Sequence, residues 1–201
     1  MNKSGFENFI ITEAVPLKGH LQWSGTYHCA DSLYKFAKIA NPNIQFYIYE
    51  TWHCKNSGKP EGCEWDNDDT ISWRNRLTVD LPLWEGIADS VNALNAKPML
   101  VIPAGQGLAR LHNSMVAGKV QGYTTAESLF IDDIHLSYTG NYYIACIMYA
   151  VIHKKSTVGL PNRLTDEWMT QYDVYPTAEQ AAIFQKIAWE TVCSYSRDGV
   201  D

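Results

Sequence analysis

The sequence predicts a three-layer α/β/α fold built on a parallel sheet. Three short apolar runs rich in β-branched and aromatic residues, at 8–12, 44–50 and 99–103, read as buried strands. Each is followed by a stretch with helical apolar spacing, and that alternation implies parallel pairing through crossover helices. With 201 residues and 46% hydrophobic content, the chain can bury one substantial core, so a single domain over 1–201 is expected.

The first strand, NFIIT, ends at Glu13, at the carboxyl end where open α/β sheets face a ligand crevice; this makes Glu13 a pocket candidate, with an ordinary loop carboxylate as the competing reading. A helix is expected over 26–40, with Leu33, Phe36, Ala37 and Ala40 on its inner face, stopped by Asn41-Pro42-Asn43. The second strand, IQFYIYE, runs into Glu50-Thr51-Trp52-His53, which makes Trp52 a candidate pocket wall. His53 is a rival base, but no aspartate stands three residues before it.

A long insertion covers about 53–79. A loop of that length inside a compact domain is usually functional, and it is expected to overhang the site. Cys54 and Cys63, two of five cysteines, are close enough to staple it in an oxidising compartment. Asp66-Asn67-Asp68-Asp69 lacks the glycine and distal glutamate of a calcium loop and reads as a solvated acidic turn. No metal site and no cofactor are expected.

Further on, 81–95 reads as a helix with Leu83, Trp84, Ile87, Ala88, Val91 and Leu94 inward. The strand 99–103 and a helix over 104–117 follow, and Gln106, just past the strand, is a third pocket candidate. Two more helices are expected at about 165–171 and 177–194.

The segment between holds the best seat for chemistry. Asp132 stands three residues before His135 in LFIDDIHLSYTGNYYIACIMYAVIH, so in a turn its carboxylate folds back to Nδ1 and leaves Nε2 free as a base. Ser137 or Thr139 offers a helix N-cap, Gly140 permits a close backbone approach, and Ile144, Ile147, Met148, Val151 and Ile152 give the helix an apolar face. A capping aspartate beside a surface histidine is the competing reading.

Net charge is −6 with no basic patch, which argues against nucleic acid as a partner. No apolar run approaches the roughly 18 residues needed to span a bilayer. The 7 Trp and 12 Tyr serve either core packing or an amphipathic ligand such as a carbohydrate. The start, MNKSGFENFI, lacks the apolar run of a signal peptide.

The run FIDDIHLSYTGNYYIACIMYAVIHKKSTVGLP resembles the last sequence block of the SGNH (GDSL-like) hydrolases, where an Asp-x-x-His pair supplies two members of a serine triad. IPAGQGLARLHNSMVAGKVQG, FIITEAVPL and FYIYETWHC are similar to earlier blocks of the same group, so the resemblance covers about Phe6 to Pro161. It implies a flavodoxin-like sheet, ester hydrolysis, Asp132 as acid and His135 as general base. The family's nucleophilic serine lies in a Gly-Asp-Ser-like turn ahead of the segment that FIITEAVPL resembles. The domain is therefore expected to be N-terminally incomplete, without its first strands and nucleophile. Where many members carry an oxyanion-binding Asn, this chain has Thr12 and Glu13, so no such donor carries over. Ala30-Asp31-Ser32-Leu33 differs from Gly-Asp-Ser-Leu at one position, but the helical period runs through Ser32, which reads as an ordinary helix serine.

Two functions follow from the resemblance. One is a serine esterase acting on small-molecule or carbohydrate esters. The other is a truncated or degenerate relative that binds without turnover, or that needs a partner chain. Loss of the first strands would expose the edge of NFIIT, which a homo-oligomer would cover. Family habit and the Cys54/Cys63 loop point to the periplasm or the exterior; the sequence leaves the compartment open.

Overall fold

Every strand ends where its side chains stop alternating between two apolar layers. In the computed structural model, which describes residues 5–63 and 70–200, the strands are β1 (Asn8–Ile11), β2 (Gln45–Glu50) and β3 (Leu100–Pro103). They form one parallel sheet in the order β1-β2-β3, with Phe9 opposite Phe46 and Ile48 opposite Val101. Phe46, Ile48 and Val101 face one core, whereas Tyr47 and Ile102 face the other, the two-residue period of a sheet covered on both sides.

The first core is closed by α1 (Leu17–Trp23), α2 (Thr26–Ala40) and α4 (Leu81–Asn92), through Leu17, Tyr34, Trp84, Ile87 and Val91. The second is closed by α5 (Ala104–Val116), α6 (Tyr138–His153) and α7 (Ala178–Ser194), with α3 (Trp73–Val79) packed on α5. The result is the three-layer α/β/α arrangement. No described helix is long and apolar enough to cross a membrane.

The outer edge of β3 is partly covered, since Val101 N–H donates to Arg197 O at 2.9 Å. Along the outer edge of β1 no strand pairs among the described residues.

Several expectations need correction. The α2 boundaries match, but its inner face is set by Ala30, Tyr34 and Ala37, while Leu33, Phe36 and Ala40 point outward. The 3.6-residue period fits both phases, and Tyr34 wins because its hydroxyl donates to Lys97 O at 2.7 Å while its ring meets Phe46 edge-on. Leu94 lies beyond the end of α4 and is exposed.

The segment 165–171 is not a helix but a tight turn closed by an antiparallel bridge between Thr165 and Gln171. Asp166 Oδ1 accepts from the N–H groups of Trp168 and Thr170, at 2.9 and 2.8 Å, and so takes donors that a helix would use. The second half of the 53–79 insertion folds into α3, whose Trp73 and Leu77 enter the core instead of overhanging a site. The Asp66–Asp69 run falls outside the described residues.

Candidate functional site

The site is a loop held from both ends and from below. Phe130 and Leu136, both buried, pair across its neck, and Ile131 N–H donates to His135 O at 2.9 Å. At the start of α6, Ser137 is the N-cap and its Oγ accepts from Gly140 N–H at 3.3 Å. Gly140 has to be glycine here: a Cβ would lie 2.9 Å from Leu129 O and 3.0 Å from Leu136 Cβ.

Within the loop, one carboxylate organises everything. Asp132 Oδ1 accepts from the N–H groups of Ile134 and His135, at 2.8 and 2.7 Å. Its other oxygen, Oδ2, lies 2.8 Å from His135 Nδ1. These bonds hold the Asp132 carboxyl down at about 2, with the backbone donors His135 N and Ile134 N the largest causes and the imidazole next. The arrangement fixes an Nδ1–H tautomer and leaves Nε2 as an acceptor. His135 is 73% exposed at its side chain, so that acceptor faces open space. No hydrogen bond joins Nε2 to any described hydroxyl.

The support from below comes from the segment that follows β2. Trp52 Nε1–H donates to Ile134 O at 2.8 Å, Lys55 N–H to Asp133 O at 2.7 Å, and Asn56 Nδ2 to Asp133 Oδ1 at 2.8 Å. A disulfide between Cys54 and Cys63 closes that segment. Trp52 itself is buried, with its ring edge-on to Phe130 and to Tyr49. It is thus a strut beneath the loop, not a wall beside the imidazole.

The other pocket candidates are held elsewhere. Glu13 Oε2 accepts from Thr26 Oγ1 and Oε1 from Ala14 N–H, so this carboxylate joins the end of β1 to the start of α2. Gln106 is bound to Glu50: its backbone N–H and its Nε2 donate to the two Glu50 oxygens at 3.1 and 3.0 Å, and Nε2 also reaches Leu77 O at 2.6 Å. Gly105 permits this packing, since a Cβ there would come 2.3 Å from Glu50 Oε1. Glu50 is fully buried, and desolvation pushes its carboxyl up to about 8 against the pull of its Gln106 and Gly105 donors.

A second acid–imidazole pair was not legible in the sequence. Asp80 Oδ2 lies 2.9 Å from His53 Nε2 and 3.1 Å from Arg76 Nε, all three residues buried. Burial pushes the Asp80 carboxyl up, but His53 and Arg76 outweigh it and the net displacement is downward. Sealed in this way, His53 is a structural partner and not a rival base. Ser32 lies mid-way along α2 on its exposed side, away from any strand-end turn.

No family model matches the chain, and no curated protein matches it. A solved structure does: that of a DUF4886 family protein from Bacteroides uniformis, with a TM-score of 0.63 and 18% identity over 98% of this chain. The likeness is one of fold. This chain spans 65% of the length of that neighbour.

Proposed function

We propose that the Asp132–His135 loop is the acid–base half of an SGNH-type serine hydrolase site acting on esters. The observation that carries this reading is the 2.8 Å contact between Asp132 Oδ2 and His135 Nδ1, with Nε2 left open to solvent. In such a site the imidazole takes the proton of an attacking hydroxyl and later returns it to the departing alcohol, while the carboxylate steadies the imidazolium between those steps. The attacking hydroxyl has to reach Nε2 in the productive complex, since no described hydroxyl is hydrogen-bonded to it here. A carbohydrate O-acyl ester is one substrate class within this reading.

A second reading has its own support: with no described hydroxyl bonded to Nε2, the chain alone is a binding module, or half of a site completed by a partner chain. Hydrolysis of p-nitrophenyl acetate separates the two. The hydrolase reading expects turnover that disappears in His135→Ala, falls steeply in Asp132→Asn and is unchanged in Ser32→Ala. Turnover that survives His135→Ala removes the pair from the chemistry, and no turnover in the parent favours the binding reading.

A further inference from the structure

Arg74 is a half-buried cation with no acid beside it. Its Nε donates to Asn113 Oδ1 and its Nη1 to Thr78 Oγ1, both at 3.1 Å, and both partners are neutral. Burial lowers the guanidinium from its ordinary value, and no carboxylate among the described residues offsets that cost. A charge taken part-way out of water ordinarily has an opposite charge against it.

The guanidinium overlooks a trough of about 260 Å³ whose floor is α5. Gln106, Ala109, Arg110 and Asn113 follow at i, i+3, i+4 and i+7, so they share one side of that helix and span about 10 Å along its axis. Arg74 of α3 forms one wall, and Thr191 and Ser194 at the end of α7 form the other. At the Gln106 end the side-chain amide is already taken by Glu50 and Leu77 O. The free donors lie nearer Asn113.

Arg110, three residues before Asn113, is its neighbour on the helix surface, so both guanidiniums open on the same trough. Arg110 Nη1 donates to Ser194 Oγ at 2.9 Å, while its Nη2 reaches Glu190 Oε2 only at 3.4 Å, a long contact for an ion pair. Arg74 Nη2, Arg110 Nε and Asn113 Nδ2 have no partner among the described residues. Nearby, Glu85 is held by Arg197 at 3.3 Å and by the Tyr195 hydroxyl at 2.7 Å, which leaves Glu190 as the competing carboxylate.

We infer that this trough binds a small molecule through an oxyanion group, a carboxylate or a phosphate, held between Arg74 and Arg110 with Asn113 as the third donor. The planar fork of a guanidinium matches either group with two parallel N–H bonds. A polyanion is a poor occupant, because it needs a broad basic surface and this chain carries a net charge of −6. The site shares no residue with the Asp132–His135 loop and does not depend on the hydrolase reading.

Inorganic phosphate titrated into the full chain at constant ionic strength, with chloride as the replaced anion, tests the site by NMR of arginine Nε–H and asparagine side-chain amide signals. Phosphate is expected to saturate and to move the Arg74, Arg110 and Asn113 signals together; Arg74→Gln and Arg110→Gln should each weaken binding about tenfold. Glu190→Gln, at a half-exposed position, releases Arg110 and should tighten binding about threefold. Glu179→Gln, in the first turn of α7, should leave it unchanged. Acetate in place of phosphate separates the two head groups, the tighter of the pair naming the ligand and saturation by either supporting the site. Shifts that grow linearly with both anions, an affinity unchanged in Arg74→Gln, or equal gains from Glu190→Gln and Glu179→Gln overturn the inference.

Discussion

Trp52→Ala lowers the free energy of unfolding by about 4 kcal/mol, the range for emptying a buried tryptophan site, and frees the Asp132–His135 loop from its strut. The two effects share one side chain. The ring fills space against Phe130 and Tyr49, and the indole N–H holds Ile134 O at 2.8 Å. Trp52→Phe separates them: it retains most of the packing, strands the Ile134 carbonyl and costs about 1–2 kcal/mol. Urea denaturation gives the first quantity. Amide hydrogen exchange at Ile134 and His135 gives the second, and should rise in both variants. A Trp52→Ala protein with unchanged exchange there would show that the segment after β2 does not hold the loop.

Glu50 makes the stability of the fold depend on pH in the opposite sense to an ordinary surface carboxylate. Burial raises its folded value to about 8 from 4.5, so between those limits the unfolded chain has released a proton that the folded chain keeps. Stability is therefore fully present below about pH 4.5, falls as pH rises, and levels off above about pH 8. The total is on the order of 5 kcal/mol at about 1.4 kcal/mol per pH unit. Glu50→Gln, an isostere of the protonated form, flattens this slope and is more stable than the parent at pH 8. Glu50→Ala leaves the Gln106 and Gly105 donors facing a cavity and loses about 3 kcal/mol at pH 5. Urea titrations at pH 5 and pH 8 measure all three proteins, and a parent of equal stability at both would contradict the assignment.

Much of the framework was legible because it is local. The three strands and the helices beginning at Thr26, Leu81, Ala104, Tyr138 and Ala178 follow from period and from punctuation by Pro, Asn and capping hydroxyls. Misjudged elements trace to competing side-chain bonds. In 165–171, Asp166 captures two backbone donors; in α2, the Tyr34 hydroxyl chooses between two helix phases that the period leaves equal. The helix α1 escaped notice because LKGHLQW contains glycine and histidine and buries only Leu17.

The site divides in the same way. Asp132 and His135 lie three residues apart in one turn, so spacing alone brings them together. Their supports are separated from them by most of the fold: Trp52 and Ile134 are 82 residues apart, and Asn56 and Asp133 are 77 apart. Nothing in a linear reading links such positions. Likewise, the strand-end position of Glu50 marks it as facing a cleft, whereas Gln106 from the next strand–helix turn closes over it.

The central claim is that Asp132 fixes the imidazole of His135 with Nδ1 protonated and Nε2 available. Two-bond nitrogen–proton NMR of the ring reads this directly, in the parent and in Asp132→Asn. The parent should show the Nδ1–H form at neutral pH; Asp132→Asn should lose that preference. The carboxylate's hold should persist down the acid range and fail only as pH falls through about 2, where the carboxyl takes up its proton. An Nε2–H ring in the parent, or a ring indifferent to Asp132→Asn, would contradict the account.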